Sequence, residues 1–354
     1  MMKNDPKKVY VGLSGGVDSS VAALLLKQAG HDVTGVFIKA WYPDFITCNW
    51  REEMRDAMRI CAKLDIPFKI CDLEAEYKKH VVDYLVEEYK NGRTPNPDVM
   101  CNKYIKFDGF LNFALAEGAD FVATGHYAQN IFANNTFHLT NAVDHNKDQT
   151  YFLWTLSQEK LSKILFPIGH LDKSEVRKLA EKNNLFTAIK KDSQGLCFLG
   201  HVDIEDFLSH FLTAENGEVL NLDGEVIGKH RGAIFYTIGQ RHGFEITEEI
   251  SNRDKYYVVS KNLEKNTITV SEKNNEEAKI KTEYEVSSLN IINEIPENLS
   301  CLYRYRGELK KIKFQKTDLN KAKIIFENLN ENIAAGQSVV FYLNGESLGG
   351  GIIS

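Results

Sequence analysis

Apolar and polar positions alternate near the start of the chain: Val9, Val11 and Leu13 are separated by other residues, as in a strand. VTGVFI (33–38), FKICDL (68–73) and DFVAT (120–124) read as further strands. Between them the period lengthens. VDSSVAALLLKQAG (17–30) reads as a helix, with Gly30 where a C-terminal cap belongs. Met54, Met58, Cys61 and Leu64 recur at helical spacing, and Tyr77, Val81, Tyr84, Leu85 and Tyr89 fit a long helix that stops at Gly92. NGRTPNPDVMCN (91–102) carries two prolines and reads as a loop, followed by a helix from roughly Asn102 to Glu117. Strands that alternate with helices predict an α/β fold with a Rossmann-like, mostly parallel sheet covered on both faces. Ligands of such sheets sit beyond the C-terminal strand ends, where strand order reverses. The turn Ser14–Ser20 and Gly125-His126-Tyr127 both lie at strand ends, so they are expected to meet over one nucleotide.

IFANNTFHL (131–139) predicts a hairpin turning at Asn134-Asn135, and shorter helical pieces, broken at Pro167 and Gly169, fill 157–183. From Gly217 the texture changes to short alternations and glycine turns: GEVLNLDGEVIG, AIFYTIG, KYYVVS, NTITV, VVFYL. This predicts antiparallel β structure, a small linking domain and then a barrel or sandwich, with a boundary near Lys273–Lys279. The expected domains are 1–200, 201–275 and a C-terminal β-barrel at 276–354.

A chain of 354 residues with 43% hydrophobic content can fill more than one core. No apolar run reaches the ~20 residues of a membrane helix, and MMKNDPKK lacks the apolar stretch of a secretory signal. The six cysteines (Cys48, Cys61, Cys71, Cys101, Cys197, Cys301) show no repeated spacing and no C-x-x-C pair, against a disulfide framework or a zinc site. Cys61 and Cys71 read as core. A reducing, cytoplasmic location without a membrane is expected. A net charge of −6 gives no global nucleic-acid signal. One stretch stands apart: Arg304 to Lys316 holds six basic residues and one acidic one, a local +5. It reads either as an RNA-facing patch or as a solvated strand face.

The turn SGGVDSS carries the first chemistry. Gly15 and Gly16 permit positive φ and let backbone N–H groups converge on an anion. The helix end and the hydroxyls of Ser14, Ser19 and Ser20 add donors. No lysine follows the second glycine, so this is not a G-x-x-x-x-G-K-[ST] loop. SGGxDS after a first strand resembles the pyrophosphate loop of the N-type ATP pyrophosphatases. That resemblance implies cleavage of ATP between the α and β phosphates, leaving AMP on the substrate.

Two cysteines sit in loops. Asp98 reads as a helix cap with Cys101 in the first turn, where a thiol gains thiolate character; the alternative is a capping aspartate beside an ordinary cysteine. Cys197 lies in KKDSQGLCFLG, where Lys190 and Lys191 would favour a thiolate; the alternative is a small apolar residue between Leu196 and Phe198. An enzyme that adenylates a carbonyl oxygen needs a nucleophile. Two such thiols suggest sulfur, one carrying a persulfide and the other resolving it.

With these pieces in place the chain resembles the tRNA-specific 2-thiouridylases. The matching stretches are GLSGGVDSS, GRTPNPDVMCN, IKF, ATGHYA, NKDQTYFLWTLS, KKDSQGLCF, YTIGQRHG, RYRGE, GQSVVFY and LGGGII, in order from residue 12 to residue 353. The resemblance implies an ATP pyrophosphatase domain, a small central domain and a C-terminal β-barrel. It implies ATP with Mg²⁺, held by Gly12, Leu13, Ser14, Gly15, Gly16, Val17, Asp18, Ser19, Ile38 and Gly125. The substrate it implies is the wobble uridine in a tRNA anticodon loop. Asn96, Pro97 and Asp98 would face the uracil, with Asp98 as general acid or base. Cys197 would hold the persulfide, delivered by a sulfur-donor protein, and Cys101 would form a disulfide with it. Sulfur would pass directly or as released sulfide. His126, Lys147, Asp148, Gln149, Arg304, Tyr305 and Gln337 would contact tRNA. Three departures stand out: His201 replaces a frequent acid, Ala335 a frequent proline, and the insert at Asp44–Trp50 is short. Three other readings use the same residues: an amidotransferase or synthetase with the same ATP loop, an RNA-binding protein with a decayed ATP site, and an iron–sulfur cluster on Cys101, Cys197 and a third ligand.

Overall fold

The computed structural model describes residues 5–46, 50–191, 195, 197–198, 200, 202–247, 256–272 and 280–354. Cys48, His201 and the boundary segment Lys273–Lys279 lie outside the described residues.

The first sheet holds β1 (Lys8–Gly12), β2 (Asp32–Lys39), β3 (Phe68–Asp72), β4 (Phe121–Ala123) and the short β7 (Ile164–Leu165). All pairings are parallel, in the order β3-β2-β1-β4 and then Ile164–Leu165. Strand order reverses between β1 and β4, whose Val9 and Phe121 are in register. Val9, Tyr10 and Val11 are all buried, so both faces of β1 are covered. The parallel Rossmann-like sheet is as expected; the Ile164–Leu165 strand is too short for a periodicity to show.

Helix α1 (Val17–Gln28) and α2 (Trp50–Leu64) lie on one face, with the helix Lys173–Lys182. Gly30, at φ +88°, ends α1, where the Gly30 N–H reaches Lys27 and the His31 N–H reaches Leu26. The other face is covered by the continuous helices 74–90 and 97–116. Both contain π-helical turns, at Lys78–Val82 and Cys101–Phe110. The second helix starts five residues earlier than the sequence suggests. Pro97 supplies its first turn, where a missing N–H costs nothing, and Asn96 caps it by accepting from the Asp98 and Val99 N–H groups at 3.1 and 3.2 Å. The prolines start this helix rather than exclude it.

The hairpin β5 (Gln129–Ala133) and β6 (Thr136–Thr140) turns at Asn134 and Asn135, both at positive φ, as expected. Its destination is not legible in the sequence: β6 adds to the C-terminal sheet.

The central sheet is built from β8 (Gly217–Leu220), β9 (Val226–His230), β10 (Phe244–Ile246), β11 (Tyr257–Asn262) and β12 (Thr267–Ser271). One expectation is corrected here, because β12 pairs with β8 in parallel. A second correction concerns AIFYTIG. Ala233–Phe235 is a 3-10 turn, and Ala233, Phe235 and Tyr236 are all buried, so the run never had two different faces.

The C-terminal unit is a closed antiparallel barrel. Its strands are β13 (Glu283–Ile291), β14 (Asn298–Leu302), β15 (Lys310–Asp318), β16 (Lys321–Phe326), β17 (Ser338–Leu343) and β18 (Glu346–Ile353). The order is β13-β16-β15-β14-β17-β18, and β18 pairs back with β13. Barrel and first domain are joined by hydrogen bonds. Asn290 donates to the carbonyls of buried Trp154 and Leu156 at 2.7 and 2.9 Å, and the Tyr151 hydroxyl donates to the Ser338 carbonyl at 3.0 Å.

Asn290→Ala removes both bonds and strands two buried carbonyls. A loss of about 1–3 kcal/mol is expected, read as a lower midpoint in the first urea transition; an unchanged midpoint would mean that the barrel is held without this clasp.

Candidate active site at the strand crossover

The turn after β1 is shaped by its glycines. Gly15 takes φ +70°, and a Cβ there would stand 2.8 Å from the Glu53 carbonyl oxygen. Gly16 precedes α1 in extended conformation and presents its first turn, Val17, Asp18 and Ser19. The Ser19 hydroxyl accepts from the Ser14 N–H at 3.3 Å and lies 3.3 Å from the Ser14 hydroxyl. Ser20 does not contribute as expected: it is buried, and its hydroxyl donates back to the Gly16 carbonyl at 2.7 Å.

Gly125 closes the turn from the other side. A Cβ on it would stand 2.6 Å from the Ser19 nitrogen and 2.7 Å from the Asp18 carbonyl carbon. Both are backbone atoms, so no relaxation is available. Gly12 and Leu13 lead into the turn, and a Cβ on Gly12 would meet Phe110 and Ile38 at 3.4 and 3.6 Å. Asp18 is held by the Tyr127 hydroxyl at 2.8 Å and by the Lys173 ammonium at 2.7 and 2.8 Å. Lys190 donates to the Gly15 carbonyl at 3.1 Å and pairs with Asp56 at 2.8 Å. Its charge therefore goes to the phosphate turn.

The two loop cysteines come together although 96 positions separate them: the Cys101 Sγ–H donates to Cys197 Sγ at 3.1 Å. Helix 97–116 brings Cys101 in, in its second turn rather than its first, fully buried. Cys197 is half-buried. Its N–H donates to Asp98 Oδ1 at 2.9 Å, and its carbonyl accepts from the Tyr77 hydroxyl at 2.7 Å. Phe198 follows at φ +67°, a strained backbone for a non-glycine residue, with its ring edge-on to Tyr77. Asp98 thus positions the Cys197 backbone and does not cap its own helix.

The two thiols differ in charge. Burial pushes Cys101 well up, so it stays a thiol, against the thiolate expected from a first helical turn. The hydrogen bond from Cys101 pulls Cys197 down, and the Lys106 ammonium pulls in the same direction against burial. Asp98 is raised by burial, opposed by the Cys197 N–H and by Lys106. Lys106 itself is penalised by burial, yet the two sulfurs and Asp98 outweigh this and shift it up. Lys106, not Lys190 or Lys191, is the cation at the thiols. Cys101 and Lys106 are five residues apart, roughly 140° apart around an α-helix. The π-helical turn, with its i→i+5 bonding, brings them near one face. No helical periodicity would have found that pairing.

His126 lies behind Lys106, with Nε2 at 3.3 Å from the ammonium and Nδ1 at 2.7 Å from the Thr124 hydroxyl. Burial, and then the Lys106 charge, hold the imidazole well below its usual pKa, so it is neutral. Lys106 donates to Nε2, which leaves the ring proton on Nδ1, directed at Thr124.

The remaining expected contacts are spread wider. The Asn96 side chain is committed to its cap. Asp148 accepts from the Ala142 N–H at 2.6 Å and from Thr150, so its carboxylate shapes its own loop. Gln149 Oε1 accepts from the Tyr127 N–H at 3.0 Å, and Gln337 donates to the Thr94 carbonyl at 3.1 Å. Loop 303–307 lies beside the loop of Lys147, with Arg306 3.5 Å from the Asn146 carbonyl. Arg304 is exposed and paired with Glu331 at 2.7 Å, while Tyr305 packs on Phe152. On β15, Lys311 and Lys313 point outward and Ile312 and Phe314 inward, so this half of the basic stretch is a solvated strand face.

Among the described residues no group of three or more His, Cys, Asp or Glu could hold a metal ion. Cys61, Cys71 and Cys301 are buried free thiols, raised by burial, Cys61 to about 11 and Cys71 to about 12.

Three family models match in succession: a tRNA methyl transferase HUP domain over 7–201, a tRNA methyl transferase PRC-barrel domain over 205–272 and an aminomethyltransferase beta-barrel domain over 279–353. The chain is 45% identical over 361 aligned residues to a tRNA-specific 2-thiouridylase MnmA of Streptococcus thermophilus, covering 100% of this chain and 96% of the relative. For the protein of the same name from Streptococcus mutans the identity is 44% with the same coverage. Among solved structures, a U34-tRNA thiolase NcsA from Methanococcus maripaludis with its [4Fe-4S] cluster aligns at 22% identity and a TM-score of 0.38. That alignment covers 59% of this chain and 66% of the other, too loose a likeness to bear on the site.

The sulfurs need to close by only about 1 Å to reach the ~2.0 Å of a disulfide. Mild oxidation with diamide is therefore expected to join Cys101 to Cys197 and to leave Cys61, Cys71 and Cys301 free, as read by peptide mapping. Equal oxidation of the buried cysteines would show that proximity and thiolate character do not govern reactivity here.

Proposed function

The chain belongs to the tRNA-specific 2-thiouridylase family, and from that premise we propose that it replaces the C2 oxygen of a tRNA wobble uridine with sulfur, using ATP. The observation that carries this reading is the Cys101–Cys197 pair, 3.1 Å apart and oppositely poised. Two facing thiols suit a sulfur transfer, one to carry the sulfur and one to release it, better than the methyl transfer that the family-model descriptions name.

The turn Gly12–Ser19, with Gly125 flush against it, fits a chain of phosphates: the first turn of α1 begins there, and Gly15, Gly16 and Gly125 put no Cβ in the way. Ile38 borders the same end of the sheet. Resident Mg²⁺ does not fit, since Asp18 is the one carboxylate in the turn and is already held by Lys173 and Tyr127. The ion would enter with the triphosphate.

The uracil C2 oxygen attacks the α-phosphorus, the bond to the β-phosphate breaks, and pyrophosphate leaves. Asp98, whose carboxyl burial raises above the usual carboxylate range, exchanges the ring proton. The outer sulfur of a persulfide on Cys197 then attacks C2, and AMP departs with the former C2 oxygen. Cys101 attacks the inner sulfur, and the S–S bond to the nucleoside breaks. The electron pair stays on the new thiocarbonyl sulfur, and the enzyme is left with a Cys101–Cys197 disulfide. A cellular reductant restores the dithiol, and a donor protein supplies the next persulfide. This cycle suits the reducing cytoplasm; no helix among the described residues is long and apolar enough to cross a membrane.

An unpaired wobble base can leave its stack at small cost. It would enter past Asn96, Pro97 and Asp98 toward His126, whose buried ring can touch only an extruded base. Lys147, Asp148 and Gln149, with Arg304, Tyr305 and Gln337 across the loop contact, would grip the anticodon arm. The proposed units are the pyrophosphatase domain 1–200, the central domain 201–275 and the tRNA-contacting barrel 276–354.

Persulfide-loaded enzyme without reductant is expected to perform one turnover, with the Cys101–Cys197 link appearing alongside thiouridine in mass spectra. Cys197→Ser should still release pyrophosphate with tRNA but make no thiouridine. Wild-type thiolation by both Cys197→Ser and Cys101→Ser would sink the sulfur mechanism and favour an amidotransferase-like use of the ATP turn.

Arg304 gives up only a surface ion pair, worth at most about 1 kcal/mol, to reach a phosphate. Arg304→Ala should weaken tRNA binding and reduce the log–log salt slope by about 0.7–0.9. An unchanged slope would return this loop to the solvated surface.

A further inference from the structure

We propose that Tyr77 is the positioning residue of the sulfur relay: its buried hydroxyl fixes the Cys197 carbonyl and so holds the Cys197 sulfur in attack range of Cys101. The inference rests on the sulfur-transfer reading above and adds a residue to which that reading gives no part.

Cys101 is held by its helix. Its N–H bonds to the Pro97 and Asp98 carbonyls, and it is fully buried. Cys197 lies in a turn, so alignment of the pair must come from its side. Both of its backbone polar groups are held by side chains, and the two come from different helices. Helix 97–116 supplies Asp98, whose Oδ1 accepts from the N–H at 2.9 Å. Helix 74–90 supplies Tyr77, whose hydroxyl donates to the carbonyl at 2.7 Å. The Cα between them is pinned from both sides. The sulfur it carries stands 3.1 Å from Cys101 Sγ, inside the ~3–3.5 Å of a near-attack pair.

A phenol suits this task. Tyr77 is itself buried, and its rigid ring delivers the hydroxyl to one point. Burial pushes its ionisation well above the usual tyrosine value, so it stays a donor. Asp98 has a second task, proton exchange with the uracil; Tyr77 has none and can hold the backbone through the whole cycle. The clamp also carries strain. Phe198, the next residue, stands at φ +67° with its ring edge-on to Tyr77, centroids 5.9 Å apart. Such a backbone persists only where its surroundings over-determine it.

The step this serves is the release of sulfur. Cys101 Sγ attacks Cys197 Sγ, the inner sulfur of the persulfide. The Cys101–Cys197 bond forms, the bond to the outer sulfur breaks, and the electron pair leaves with the outer sulfur. The proton that Cys101 gives up ends on the uracil ring. A thiol tethered only by flexible chain meets its partner at an effective concentration of roughly mM. A pair pinned in near-attack geometry exceeds that by orders of magnitude.

The test replaces the persulfide with a methyl disulfide, which has the same inner sulfur. Methyl methanethiosulfonate is added to the full-length protein without ATP or tRNA, and the Cys101 and Cys197 peptides are followed by quenched mass spectrometry. Cys197 gains the methylthio group; Cys101 then displaces methanethiol, and the internal disulfide appears in a first-order phase. Tyr77→Phe should leave the methylthiolation of Cys197 within about twofold of wild type and slow the internal phase about fivefold or more, the factor that one lost hydrogen bond carries. A general loss of structure would alter both phases; only positioning separates them. An internal phase within about twofold of wild type overturns the proposal. Should Tyr77→Phe not fold, the wild type decides. Its internal rate, divided by the rate constant for glutathione on the same methyl disulfide in Cys101→Ser, is expected well above the roughly mM of a flexible tether, and a value at or below that overturns the clamp. Because the assay uses neither ATP nor tRNA, a protein that fails to thiolate tRNA refutes the functional reading and leaves the Tyr77 result standing on its own.

Discussion

No side chain fits between Gly125 and the backbone of Ser19, where a Cβ would come within 2.6 Å of the nitrogen. That contact fixes the distance between the ends of β1 and β4 at the point where strand order reverses. Much of the site follows from it. On one side of Gly125 is Thr124, and on the other is His126; together they hold the lysine that faces the thiols. One strand end therefore serves the phosphate turn with its backbone and the sulfur pair with its side chains. The phosphate turn and the thiol pair are kept at a fixed separation by three consecutive residues.

The polar groups around the sulfurs make sense only as a set. A buried lysine, a buried carboxylate and two thiols would each be expensive alone. Together they offset one another: burial pushes Cys101 and Asp98 toward their neutral forms, while Cys197 and Lys106 each favour the other's charged form. The strain at Phe198 is carried at the same place, where the Tyr77 and Asp98 hydrogen bonds pin the backbone of Cys197.

The barrel is docked rather than tethered. Asn290, Ser338 and Gln337 bond to backbone or side-chain groups of the first domain, and β6 from that domain continues the barrel sheet beyond β18. The Thr94 N–H is held by the Ala335 carbonyl at 2.8 Å, three residues before the helix that carries Asp98 and Cys101. The barrel is thereby registered to the helix of Asp98 and Cys101 through a few short contacts.

The sequence by itself determined the elements whose cause is local. Alternation gave the strands β1 to β4, Gly30 the end of α1, Asn134-Asn135 the hairpin, and the paired glycines the phosphate turn. Each depends on periodicity or on φ angles that neighbouring residues set. It also singled out Cys101 and Cys197, because their motifs are particular, and the fold brings the two together. The charge state of Cys101 it misjudged: helix position argued for a thiolate there, but complete burial outweighs a helix end. Only the tertiary structure could decide that, since desolvation depends on residues far away in the chain. The same holds for Lys106, hidden by a π-helical turn that breaks the 3.6-residue period, and for Asp98, whose partner lies 99 positions on. It holds for Ser20 as well, a hydroxyl in the right motif that turns inward. The backbone pattern is written in neighbours; the electrostatics of the site are written in contacts between segments, and those exist only once the sheet has brought β1, β4 and the Cys197 loop together.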